Sequence, residues 1–182
     1  MIKICFVCLG NICRSPMAEY MMKKKLKDLN LEEEFQIVSR ATSYEEAGND
    51  IYPPAKRKLQ EKNIPFSFHK STRLEPTDYD KYDYFICMER RNISNSLRIL
   101  GNDINNKVFT LLDKDIADPW YTGNFDATYN DLDIGLDQLI SNLKKKWKNF
   151  FFCCYIRKNL HFLSFYGIIS PHMKKGDKKW SL

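Results

Sequence analysis

Apolar positions alternate between two spacings along most of the chain. Short β-prone blocks occupy residues 3–8, 36–40, 84–88 and 107–111, and predict strands. Between them apolar residues recur every three or four positions, at Met17, Ala18, Met21, Met22 and Leu26 and again at Leu132, Leu136, Leu139, Ile140 and Leu143. That is the stripe of a helix packed along one side. The pattern predicts helices over residues 16–29, 53–62, 92–100 and 129–148, with Pro53 and Pro54 opening the second. Alternation of this kind points to an α/β fold, a parallel sheet with helices on both faces, whose ligands gather at the carboxyl ends of the strands.

The link between the first strand and the first helix carries the chemistry. It reads Val7, Cys8, Leu9, Gly10, Asn11, Ile12, Cys13, Arg14, Ser15, Pro16. Ser15 is the expected helix N-cap and Pro16 suits the first turn, where a missing N–H costs nothing. Gly10 permits a close approach or a strained turn, and Asn11 tolerates left-handed backbone. Backbone N–H groups of Leu9, Gly10, Asn11, Ile12, Cys13 and Ser15 would then converge on an anion at the positive end of the helix. The helix end, the Arg14 guanidinium and these donors favour a thiolate on Cys8, a nucleophile at rest. Arg14 offers a planar fork able to engage two phosphoryl oxygens at once. Taken alone, Cys8 and Cys13 read as small buried hydrophobes and Arg14 as a surface cation. The agreement of strand, Gly-Asn turn, arginine and Ser-Pro helix start is what indicates a phosphate held over a thiolate.

The segment from Phe6 to Glu19, FVCLGNICRSPMAE, resembles the phosphate-binding loop of the low-molecular-weight protein-tyrosine phosphatases. The resemblance continues through Ser39-Arg40-Ala41-Thr42, Gly48-Asn49, Phe85-Ile86-Cys87-Met88-Glu89 and Asp118-Pro119-Trp120-Tyr121, covering residues 2–147. It implies a three-layer fold on a four-stranded sheet and a two-step hydrolysis needing no metal or cofactor. Cys8 would attack phosphorus in line to form a phosphocysteine, with Arg14 binding the phosphoryl group. Asp118 would protonate the leaving oxygen, then act as base for the hydrolytic water. The substrate implied is a phosphotyrosine protein or a small aryl phosphate.

Other residues carry over less directly. Read alone, Asp118-Pro119 is an ordinary turn start, and Trp120 and Tyr121 either wall a substrate ring or pack the loop down. By resemblance Ser15 hydrogen-bonds the nucleophile, while Asn11, Ser39 and His69 belong to a network that locks the loop. The spacing from His69 to Arg73 departs by one residue from the family pattern, and His69 by itself reads as a surface loop histidine. Tyr44 stands one place from the family's aromatic specificity position.

Charge and cysteines narrow the partners. The formal charge of +6 is uneven: residues 149–182 contain six Lys/Arg and one acid, leaving the body at +1. That argues against a nucleic-acid partner. Cys5, Cys8 and Cys87 lie in or beside apolar strands, and the first residues run straight into a strand, so the expectation is a reducing cytoplasm without a disulfide framework. Cys5 and Cys8 lack the second pair of a zinc site, so no metal is expected. Cys8 and Cys13 are the pair expected to join reversibly under oxidant.

The family-like domain is read as residues 1–148 and the remainder, 149–182, as a non-homologous aromatic and basic extension, partly disordered or weakly packed. Arg157, Lys158, Asn159 and His161 interrupt its apolar run, which argues against a spanning helix and leaves membrane-surface contact as an alternative. Two other activities share the scaffold. Arginine-phosphate hydrolases of the family carry threonine where this loop has Ile12, and arsenate reductases need further reactive cysteines, which Cys87, Cys153 and Cys154 are poorly placed to supply. The most distant alternative is a non-enzymatic anion-binding or membrane-docking protein, which would have no use for Cys8, Arg14 and Asp118 together.

Overall fold

Ile4, Cys5, Phe6 and Val7 are wholly shielded from solvent although successive strand residues point to opposite faces. The strand they form, β1 (Ile2–Cys8), is therefore covered on both sides and lies inside the sheet. β2 (Phe35–Ala41) pairs with one edge of it and β3 (Tyr84–Cys87) with the other; β4 (Val108–Thr110) adds outside β3. All pairings are parallel and the order is β2-β1-β3-β4. The chain steps from β1 to one side, then crosses to the other, so the order reverses beside the carboxyl end of β1, where ligands bind in open α/β sheets.

The computed structural model describes the backbone of residues 1–165 and the side chains of residues 1–145. The helices are α1 (Arg14–Asp28), α2 (Pro53–Glu61), α3 (Asp78–Lys81), α4 (Arg90–Leu100), α5 (Pro119–Thr122) and α6 (Phe125–Phe165). α1 packs along β1 and β2 through the stripe of Met17, Ala18, Met21, Met22 and Leu26, all buried. On the face presenting Cys5, Val7, Phe85 and Cys87, the core is completed by Leu74, Tyr82 and Leu100, with Ile93 and Ile99 of α4 packed against it. Each large apolar side chain so buried contributes about 1.5–3 kcal/mol relative to exposure.

Four helices depart most from the sequence expectation. α1 begins two residues early, with Cys13 in the cap position, and Ser15 lies inside the helix rather than capping it. The short helices α3 and α5 are too brief to show a periodic stripe. α6 starts at Phe125 instead of 129, where Asn124 Oδ1 accepts the Ala127 N–H at 2.9 Å. It also runs past 148 to Phe165, since no glycine or proline interrupts the chain between Gly135 and Gly167. Gly135 itself is required by packing: a Cβ there would lie 2.6 Å from Leu111 Cγ.

One compact unit is Met1–Leu139, and a second begins at Ile140. The expected packing or disorder of residues 149–182 falls outside the described side chains. Among the described residues no helix is long and apolar enough to cross a membrane.

Candidate active site

The loop after β1 wraps around the sulfur of Cys8. Asn11 makes this possible by adopting φ +56°, which turns its own N–H toward Sγ at 3.2 Å. The Ser15 hydroxyl stands 3.0 Å from the same sulfur. Because Ser15 Oγ already accepts the Asn11 Nδ2 amide at 2.9 Å, its own proton is free for Cys8. Among the described residues the N–H groups of Gly10, Ile12 and Cys13 meet no acceptor, and Arg14 and Ser15 sit in the first helical turn, where N–H groups lack intrahelical partners. The result is a ring of donors around the thiol, at the positive end of α1. Gly10 closes the ring tightly: a Cβ there would meet Glu46 Cγ at 3.0 Å.

A directed chain of hydrogen bonds fixes this geometry. Asn11 Nδ2 also donates to Ser39 Oγ at 2.8 Å, and Ser39 donates onward to Glu19 Oε2 at 2.6 Å. From the opposite side, residues 69–72 clamp the loop. His69 Nε2 lies 2.9 Å from Asn11 O and 3.1 Å from Asn11 Oδ1, Thr72 N–H donates to that same Oδ1, and Ser71 Oγ donates to Gly10 O at 2.8 Å. His69 is only 8% exposed, so the reading of it as a surface loop histidine is overturned. Its spacing is accommodated because what the network requires of it is one ring nitrogen over the Asn11 carbonyls. Burial, partly offset by the Asn11 carbonyl and by Glu19 and Asp50, lowers its pKa below the ordinary value.

Arg14 is 2% exposed, which a solvated surface cation would not be. Its guanidinium donates to Ile116 O at 3.1 Å and pairs with Glu89 Oε2 at 3.1 Å and Asp118 Oδ2 at 2.5 Å. Burial alone would lower its pKa, but Cys8, Asp118 and Glu89 outweigh that and hold it above the ordinary arginine value. The charge is therefore fixed and its fork is oriented by partners from the segments that follow β3 and β4. Glu89 is steadied in turn by Asn92 Nδ2 at 2.9 Å.

Asp118 caps α5: its Oδ1 accepts the Trp120 N–H at 3.1 Å while Oδ2 holds Arg14. Asp118 is thus both the turn start read from sequence and a wall of the cleft. Trp120 and Tyr121 line the same cleft as Cys8, Ile12 and Arg14, half-exposed and exposed respectively. Trp120 leans on Tyr52 with ring centroids 4.8 Å apart, so it packs and walls at once.

Burial raises the pKa of the three other described thiols. It pushes Cys5 and Cys13 well above the ordinary range and Cys87 up to about 12, so each stays protonated at neutral pH. Cys8 is the one whose sulfur receives a backbone N–H among the described cysteines. Sequence reasoning missed Glu19, Glu89 and Ser71. Signals existed for two: Glu19 is a carboxylate within the apolar stripe of α1, and Glu89 directly follows a buried strand at its carboxyl end.

Residues 3–149 match the family described as low molecular weight phosphotyrosine protein phosphatase. Over 151 residues the chain is 35% identical to the low molecular weight protein-tyrosine-phosphatase PtpA of Staphylococcus aureus, across 80% of this chain and 96% of that one. Among solved structures it is similar to SP-PTP, a low molecular weight protein tyrosine phosphatase from Streptococcus pyogenes, at 36% identity and a TM-score of 0.74 over 79% and 93% of the two chains. YfkJ from Bacillus subtilis shares 31% identity and a TM-score of 0.77 over 80% and 96%.

Proposed function

The chain belongs to the low molecular weight phosphotyrosine protein phosphatase family, and we propose that it hydrolyses phosphotyrosine and simple aryl phosphates through a covalent intermediate on Cys8. One observation carries the reading: a single sulfur, met by the Asn11 N–H and the Ser15 hydroxyl, lies in a donor-lined loop beside a buried guanidinium.

The chemistry follows from the geometry. A phosphate monoester dianion entering the loop meets the unpaired N–H groups and the Arg14 fork, which neutralise charge growing on the equatorial oxygens. In doing so it competes for the Arg14 nitrogen that holds Asp118 and frees that carboxyl to face the leaving oxygen. Sγ attacks phosphorus, the P–S bond forms as the P–O bond breaks, and the departing aryl oxygen takes the proton of Asp118. Water then attacks phosphorus and gives its proton to Asp118, and the P–S bond breaks. The thiolate returns to its donors, Asn11 N–H and the Ser15 hydroxyl, and inorganic phosphate leaves. Trp120 and Tyr121 flank the substrate ring, with Ile12 completing an apolar rim. Family membership implies phosphoprotein substrates. A reducing compartment such as the cytoplasm suits a working thiolate. Residues 149–182 are read as an extension outside the catalytic domain.

The test is hydrolysis of p-nitrophenyl phosphate and phosphotyrosine by the purified chain, compared with phosphoarginine and with arsenate reduction by a thiol. Turnover of the aryl esters in preference to the other two is the expected result. Preference for phosphoarginine, or activity confined to arsenate, would replace this reading with one of the sister chemistries.

A further inference from the structure

Leu9 and Glu45 each line two depressions, the catalytic cleft and a neighbouring groove. The other walls of the groove include Thr42, Tyr44, Arg73 and Arg98. Its two guanidiniums are placed differently. Arg73 lies over the Tyr44 ring, 4.4 Å from the centroid, and donates to Thr42 O and Tyr44 Oη, both at 3.3 Å. It is thus held rigid by neutral acceptors, its charge uncompensated. Arg98 projects from the last turn of α4 and reaches the Asn95 side-chain oxygen at 3.4 Å. Among the described residues neither arginine forms an ion pair, whereas Arg14 forms two. Glu45 is the one carboxylate among the groove-lining residues, so two cations face a single anion. Thr42, buried in the wall, has a hydroxyl without a hydrogen-bond partner, while its N–H is anchored to Cys8 O at 2.9 Å. The groove is therefore built directly onto the strand end that carries the nucleophile.

We propose that this groove is a specificity subsite that binds an acidic side chain of the substrate polypeptide beside its phosphotyrosine, with Arg73 and Arg98 as the recognising pair. The inference rests on the phosphotyrosine reading above. Its chemistry is complementary charge: a carboxylate on the flanking chain meets the guanidiniums as the phosphoryl group enters the loop, and the shared residues Leu9 and Glu45 make the two depressions continuous. Tyr44 acts by presenting Arg73, not by stacking on the substrate ring.

The experiment measures kcat/KM of the full chain on phosphotyrosyl peptides with acidic, neutral or lysine residues on either side of the phosphotyrosine, with p-nitrophenyl phosphate as reference. Arg98→Ala and Arg98→Glu are compared with the wild type; Arg98 is exposed and its side-chain hydrogen bond goes to Asn95, outside the catalytic loop. The wild type should prefer the acidic peptide over the neutral one by about fivefold or more at low salt, and the preference should shrink as salt rises. Arg98→Ala should reduce that ratio, Arg98→Glu should reverse it toward the lysine peptide, and p-nitrophenyl phosphate should be turned over equally by all three proteins. Equal kcat/KM on all peptides, or a preference that survives Arg98→Glu, overturns the subsite while leaving the phosphatase reading intact. Failure of the wild type on p-nitrophenyl phosphate and every phosphotyrosyl peptide overturns both.

Discussion

His69 and Asn11, 58 positions apart, are joined by one ring nitrogen set against two carbonyl oxygens, Asn11 O at 2.9 Å and Asn11 Oδ1 at 3.1 Å. Both partners are acceptors, so Nε2 carries the hydrogen. This contact pins Asn11 in its left-handed conformation, and that conformation aims the Asn11 N–H at Cys8. A histidine remote from the chemistry thereby sets the shape of the phosphate loop.

Stability should depend on the charge of His69. Its folded-state pKa lies below the ordinary value, chiefly because burial penalises the imidazolium. Between the folded pKa and the unfolded value of about 6.5, the unfolded chain binds more protons, so stability rises with pH there. The contribution is full above about pH 6.5 and is lost as pH falls toward the folded pKa. Urea unfolding from about pH 7.5 down to 5 should show this decline in the wild type and a weaker one in His69→Asn. Identical slopes would remove His69 as the cause.

Much of the architecture is legible in sequence because local pattern dictates it. β1 and β3 are short apolar runs and α1 carries its stripe at regular intervals, so order and type of elements follow without tertiary knowledge. The Cys8 loop is equally legible, since nucleophile, turn residues, arginine and helix start are contiguous. What escapes is long-range compensation. The burial of Arg14 depends on Glu89, Asp118 and Ile116, 75 to 104 positions away, and no local signal announces them. Ser15 fails as a cap for a related reason: its hydroxyl is committed to Cys8 and Asn11, and the helix starts earlier.

Cys8→Ser should abolish turnover while retaining inorganic phosphate binding. The donors of the loop and Arg14 remain, but a serine hydroxyl at this position has no base to activate it. A fall in kcat of about 10⁴ or more, with phosphate still binding by calorimetry, is the expected pair of results. Appreciable residual hydrolysis by the variant would assign the nucleophile elsewhere.

Leaving-group dependence isolates Asp118. A substrate that departs as a stable phenolate needs little protonation, whereas a poor leaving group depends on it. Asp118→Asn should therefore harm phenyl phosphate far more than p-nitrophenyl phosphate, steepening the dependence of kcat/KM on leaving-group acidity. Equal losses across the series would leave Asp118 as a partner of Arg14 and not a proton donor.

Removal of residues 149–182 should leave hydrolysis of a small aryl phosphate nearly unchanged. Every side chain assigned to the chemistry lies between Cys8 and Tyr121, within the compact unit Met1–Leu139. The measurement is kcat/KM of the truncated chain beside the full one, with circular dichroism to establish the fold. A loss of about tenfold, some 1.4 kcal/mol of transition-state stabilisation, in a folded truncation would bring the extension into the site.

Arg14→Lys separates charge from shape. Lysine keeps one positive charge but cannot hold Ile116 O, Glu89 and Asp118 while presenting two coplanar donors to a phosphoryl group, as the guanidinium does. The transition state spreads charge over several oxygens, so the loss should fall on kcat/KM more than on inorganic phosphate affinity. A reduction of about 10² to 10³ in kcat/KM is expected, the size seen when a preorganised donor is removed. The folded state should also weaken, because Glu89 and Asp118 lose a partner matched to both. If the Arg14→Lys variant supported turnover close to the wild type, Arg14 would act through its charge alone and the bidentate role assigned to it would be wrong.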